Sequence, residues 1–111
     1  MSGGFFEHQQ YRLHDMAMQL RRIIETAEIS DEYDASGSDD YDYDTWTHRF
    51  KKETLKEFIK CYEHLLLCEI ELQRIDWLLS GDDGEETFHE RLRTDKKLLK
   101  GDVAYVKKKR L

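Results

Sequence analysis

An all-α fold follows from three features of the 111-residue sequence: it holds no proline, its apolar residues recur at helical spacing, and 38% of its residues are charged. Without proline, only glycine and polar turn formers can stop a helix. A chain of this length supplies one compact domain, so a multidomain machine is excluded.

The first helix is predicted over 6–29. Leu13, Met16, Ala17, Leu20, Ile23, Ile24 and Ala27 make an i, i+3, i+4, i+7 stripe, with Arg12, Gln19, Arg21, Arg22, Glu25 and Glu28 around it. Phe5, Phe6 and Tyr11 put an aromatic lid at its start. Residues 30–44 then turn to Asp, Tyr, Ser and Gly, with seven acids and no base, and are predicted as a loop.

The dominant helix is predicted over 48–80, capped by Thr45 or Thr47. Phe58, Cys61, Leu65, Cys68, Leu72, Ile75 and Leu79 alternate steps of three and four, a heptad-like seam, and Leu55, Ile59, Tyr62, Leu66 and Ile70 widen the apolar face. So wide a face needs two neighbours. Ser80-Gly81 stops this helix, and Asp82 or Asp83 caps a third over 84–99, whose first turn holds Glu85 and Glu86. Gly101 is expected to end it, with an extended piece at Val103–Val106 and a basic tail over 100–111. The architecture expected is a long antiparallel helical hairpin plus a shorter third helix in one domain, assembled as a homo-oligomer that covers the surplus apolar face.

Charge is divided along the chain. Residues 1–88 sum to −12 and residues 89–111 to +6, within a net −6. Such a split suits a cationic partner at the acidic end or a polyanion at the basic end. Lys107–Arg110 is nevertheless expected to be a solvated tail, and direct nucleic-acid binding is not expected. No apolar run approaches the ~18 residues of a membrane span, which predicts a cytoplasmic protein. Cys61 and Cys68 stand two helical turns apart, too far to pair with each other, and are expected as free thiols.

No constellation carries catalysis. Asp40, Asp42 and Asp44 open like a calcium loop, but its sixth position is Thr45 and its twelfth Lys51, where glycine and glutamate are needed. The histidines His8, His14, His48, His64 and His89 have no ligand spacing, so neither a metal nor a cofactor is expected. An all-α, Mg²⁺-dependent nucleotide pyrophosphohydrolase would need acid pairs on facing helices; Glu25, Glu28 and Asp31 offer one side, and only Gln73 and Asp76 answer. Two binding sites are suggested instead. Asp39, Asp40, Asp42 and Asp44 with Tyr41 and Tyr43 form an acidic, aromatic protein-binding segment, and Arg74, Trp77, His89 and Arg91 could grip a nucleotide.

The start Met1-Ser2-Gly3-Gly4-Phe5, the stretch Gln10-Tyr11-Arg12-Leu13-His14-Asp15-Met16-Ala17, and the block Arg74-Ile75-Asp76-Trp77-Leu78-Leu79-Ser80-Gly81-Asp82-Asp83-Gly84-Glu85 with Phe88, Arg91 and Leu92 resemble a family of small proteins encoded by phages and prophages. These blocks lie within residues 1–17 and 74–92, about a third of the chain; the acidic middle and basic tail lie outside the pattern. The resemblance implies context rather than mechanism: a non-enzymatic accessory protein in the cytoplasm of a bacterial host, acting stoichiometrically on a host factor, such as a defence protein. The alternative it implies is sequestration of a nucleotide immune signal by a helical oligomer.

Overall fold

The computed structural model describes residues 4–29, 41–42 and 47–111, with the backbone alone at 41, 42, 47 and 48. Its elements are α1 (Tyr11–Thr26), β1 (Glu28–Ile29), β2 (Tyr41–Asp42), β3 (Thr47–Phe50), α2 (Lys52–Leu79) and α3 (Glu85–Arg110). The fold is all-α, with one small sheet of order β1-β3-β2 joining α1 to α2.

Contacts between helices fix their directions. Gln10 meets Gln73, His14 meets Glu69 and Arg21 meets Tyr62, so α1 runs antiparallel to α2 with residue numbers summing to 83 at each level. Arg74 with Asp95 and Tyr62 with Asp102 set α3 antiparallel to α2. The core at this junction is Ala17 and Ile24 of α1, Ile59, Tyr62 and Leu66 of α2, and Leu99, Val103 and Val106 of α3.

Several sequence expectations are corrected. Helix one begins at Tyr11 rather than 6, because residues before it wind through turns in which Glu7 and His8 have left-handed φ of 53° and 63°. It ends at Thr26, since Ala27 is already extended (ψ 141°) and leads into β1. Helix two begins at Lys52, because Thr47–Phe50, rich in β-branched and aromatic residues, runs extended and pairs parallel with β1; Lys51, not Thr45 or Thr47, is its N-cap.

The rows of α2 also exchange roles. Leu55, Ile59 and Tyr62 are 0% exposed, so the row expected to widen the face is the core. In the seam, Cys61, Cys68 and Leu79 are exposed and Leu65, Leu72 and Ile75 half-buried.

The stop at Ser80-Gly81 stands as expected. Gly81 has φ +82°, Asp82 N–H donates to the Trp77 carbonyl at 2.9 Å and Gly81 N–H to Leu78 at 3.2 Å, a glycine-terminated helix end that only a left-handed residue closes without strain. The N-cap of α3 is Gly84 rather than Asp82 or Asp83; its N–H donates to the Thr87 hydroxyl at 3.2 Å, and that hydroxyl donates to Asp83.

The largest correction is the C-terminus. Gly101 does not end α3, and the basic tail is its last helical turns, so the shorter helix of the three is α1, with 16 residues against 26. Val103 and Val106 continue the stripe of Leu92 and Leu99 and are 2% exposed, which outweighs the ~1 kcal/mol cost of a mid-helix glycine. Arg110 then donates from Nε to the Ile24 carbonyl at 2.9 Å and from Nη2 to the Ala27 carbonyl, tying the end of α3 to the end of α1. Gly101 is exposed, and an added Cβ there meets nothing within 4 Å. Gly101→Ala is therefore expected to raise stability by about 0.5–1 kcal/mol in urea unfolding.

Candidate functional site

All three of the sequence blocks meet at one buried carboxylate. Asp76, 2% exposed on α2, accepts hydrogen bonds from Phe5 N–H, from Gln10 Nε2 at 3.1 Å and from Ser80 Oγ at 3.4 Å. Gly4, at φ +67°, passes so close that a Cβ would lie 2.6 Å from the carboxylate. The Gly4-Phe5 start, Gln10 and the Asp76-to-Ser80 block thus form one joint that clamps the N-terminal arm onto α2.

Burial pushes the Asp76 pKa up, but hydrogen bonds from Phe5 N–H, Gln10, Phe6 N–H and Ser80 outweigh it and leave the group below the ordinary aspartate range. Its stabilising contribution is then complete above about pH 4, the unfolded value, and is lost as pH falls through the lower folded value. Tyr62 behaves oppositely. Burial, then the hydrogen bond to Asp102, raises its pKa against the opposing Arg21, so its contribution holds below about pH 10 and fades as pH rises through the folded value. Thermal melting against pH should show an acid limb that flattens in Asp76→Asn and an alkaline limb that flattens in Tyr62→Phe.

α1 and α3 both lean on α2 and leave a cleft between them. Its volume is about 360 Å³; Tyr62, Leu66, Ile70 and Leu99 form the floor, and Met18 and Leu98 stand at the lips, 36% and 69% exposed. Polar groups along it are paired with one another. Arg21 Nη1 donates to the Tyr62 hydroxyl at 3.0 Å, that hydroxyl donates to Asp102 Oδ2 at 3.0 Å, and His14 Nδ1 lies 3.1 Å from Glu69. An apolar floor between self-satisfied polar walls suits an apolar side chain or helix face more than a charged small molecule.

The second groove, of about 380 Å³, is lined by Arg74, Trp77, Glu90, Arg91, Thr94 and Asp95. It gathers three of the four residues expected for a nucleotide site. His89 is not among them, its ring lying edge-on to Phe88 at 5.1 Å. Arg74 bonds Asp95 at 2.7 Å and stacks 4.7 Å from the Trp77 ring centre, and Arg91 approaches Asp83 at 3.8 Å. Both arginines and one face of the indole are engaged within the protein. Arg74 Nη1 is buried without a hydrogen-bond partner among the described residues, as are Asp83 Oδ2 and Gln10 Oε1.

The acids of the pyrophosphohydrolase alternative are dispersed. Glu25 pairs with Arg21 at 3.5 Å, and Glu28, beyond the helix in β1, with Arg49 at 3.1 Å. In the α1–α2 register Glu25 stands level with residue 58, so Asp76 is about 27 Å further along the axis. Asp31, Asp39, Asp40, Asp44 and Tyr43 lie outside the described residues, as do the side chains of Tyr41 and Asp42.

The cleft and its Arg21–Tyr62–Asp102 chain were missed by sequence reasoning. A signal existed: Asp95 and Asp102 are seven apart and flank Leu99, so both acids sit at the edge of a core stripe. Taking Gly101 as a helix end hid it. Together the features define an antiparallel three-helix protein with an open interhelical cleft. Comparison with protein-family models, curated proteins and solved structures finds no match to this chain.

Proposed function

We propose that the protein is a non-catalytic binding protein, of the accessory kind that phages encode, which occupies a host protein stoichiometrically through the α1–α3 cleft and the acidic segment that follows α1. The observation that carries this is the cleft itself, with its apolar floor, exposed Met18 and Leu98, and internally paired polar walls. The partner segment is an amphipathic helix with basic flanks. Its apolar side enters over Tyr62 and Leu99, and its cations answer the net charge of −12 carried by residues 1–88, to which Asp39, Asp40, Asp42 and Asp44 contribute. A defence factor is the class of target that the phage context favours.

Capture from bacterial lysate tests this with three variants of the full chain, each checked by circular dichroism. A partner retained by the wild-type protein should be lost when Met18 and Leu98 are both changed to Glu. It should be weakened when Asp39, Asp40, Asp42 and Asp44 become Asn, and kept in Arg74→Ala with Trp77→Ala. Loss only in the last variant would refute the cleft.

That outcome belongs to the second reading, a nucleotide signal held by Arg74, Trp77 and Arg91. The unpartnered Arg74 Nη1 beside an open groove favours it. Against it stand Asp95 and Glu90, which would face the phosphates.

A further inference from the structure

Asp95 and Asp102 are the only acids between Arg93 and Lys108 of α3, and both line the interhelical cleft, where they bond Arg74 at 2.7 Å and Tyr62 at 3.0 Å. On the side of α3 away from its core stripe, Arg93, Lys97, Lys100, Ala104 and Lys107 recur at steps of four and three, and Lys97, Gly101, Ala104 and Lys108 form the adjoining row. All of these residues are exposed. The five cations form no ion pair among the described residues. A helix ending at Gly101 would divide them between two elements; because α3 continues to Arg110, they line up as one cationic strip ~22 Å long in a protein of net charge −6.

Two features of the strip are unfavourable for a helix that meets only water. Arg93 and Lys97, and Lys97 and Lys100, are like charges at helical-neighbour spacing, and they repel. The helix dipole favours cations in the last turn, such as Lys107 and Lys108, but does not reach these three in the middle. Gly101 weakens the helix between the two groups of cations, yet an added Cβ there meets nothing within 4 Å, so packing inside the protein does not call for glycine.

We infer that this strip binds the phosphate backbone of a DNA duplex. A strand passes over the gap at Gly101 and Ala104, where no side chain holds it away from the helix. Arg93, Lys97 and Lys100 on one side of the gap and Lys107 and Lys108 on the other meet its phosphates. The composition of the strip favours phosphate over other anionic surfaces. Its largest apolar side chain is Ala104, whereas a helix lying in a membrane surface buries a broad apolar face and the centre of a protein interface is poor in lysine. It carries no aromatic ring on which unpaired bases would stack. The contacts are to backbone alone, so binding does not depend on base sequence. The strip lies outside the cleft and is independent of protein binding there.

Fluorescence anisotropy of the full chain with a labelled duplex of ~20 base pairs tests this. Binding at ~50 mM salt should be micromolar, and five phosphate contacts should make it about 500-fold weaker at ~200 mM. Lys97→Gln with Lys100→Gln should lower the slope of log affinity against log salt by about 2. Gly101→Gln leaves the charge unchanged and favours the helix, yet by filling the gap it should weaken binding about tenfold, with circular dichroism and urea stability undiminished. No binding at ~100 μM protein and ~50 mM salt overturns the inference. So does an affinity that either variant leaves unchanged, or a preference for vesicles with about one-third anionic phospholipid. Binding that appears only after Asp39, Asp40, Asp42 and Asp44 are changed to Asn also overturns it, by giving the strip to the chain's own acidic segment.

Discussion

Changing Asp76 to Asn lowers stability by about 2–3 kcal/mol and the melting temperature by roughly 10 °C, because a buried acceptor of charge-assisted hydrogen bonds is replaced by a weaker acceptor that must also place two N–H groups. Phe5 N–H, Gln10 and Ser80 all converge on that carboxylate. Gly4→Ala attacks the same joint from the other side. Its Cβ would lie 2.6 Å from Asp76 Oδ2, and φ +67° is already unfavourable for alanine. Clash and strain together should cost about as much as Asp76→Asn, and the double variant should fall well short of the sum, since both changes break one contact. Urea unfolding of the four proteins checks it; full additivity would mean that arm and carboxylate act separately.

Removing residues 101–111 unfolds the protein. The deletion takes away Val103 and Val106, each 2% exposed and worth about 1.5–3 kcal/mol, together with the Arg110 bonds to the carbonyls of Ile24 and Ala27. The combined loss approaches the ~5–15 kcal/mol that holds a domain of this size together. By contrast, Lys107, Lys108 and Lys109, all exposed, can become Gln with a change within about 0.5 kcal/mol. Circular dichroism of the two variants separates a structural helix end from a dispensable basic tail.

Local pattern made the helices and their main stop legible. The stripe from Leu13 to Ala27 and the Ser80-Gly81 end are read by spacing and by glycine chemistry alone. What escaped depends on contacts distant in sequence. The N-terminal arm is fixed by Asp76 across 71 residues, and nothing local to Gly4 announces it. Gly101 looks like a stop until Val103 and Val106 are seen to have Tyr62 and Ile24 to pack against. The choice between the two rows of α2 likewise turns on where α1 and α3 sit, since both rows have helical periodicity. The candidate sites divide the same way. Arg74, Trp77 and Arg91 cluster because only the five residues 80–84 separate α2 from α3, whereas the Arg21–Tyr62–Asp102 chain draws one residue from each helix.

The most direct test of binding through the cleft is native mass spectrometry of the protein purified gently from a bacterial host. The spectrum should contain the 13.4 kDa chain joined to a host protein, one partner per chain, with no added mass of nucleotide size, and the partner should be absent when Met18 and Leu98 are changed to Glu. A retained nucleotide-sized mass that disappears with Arg74→Ala and Trp77→Ala, and no protein partner, would contradict it.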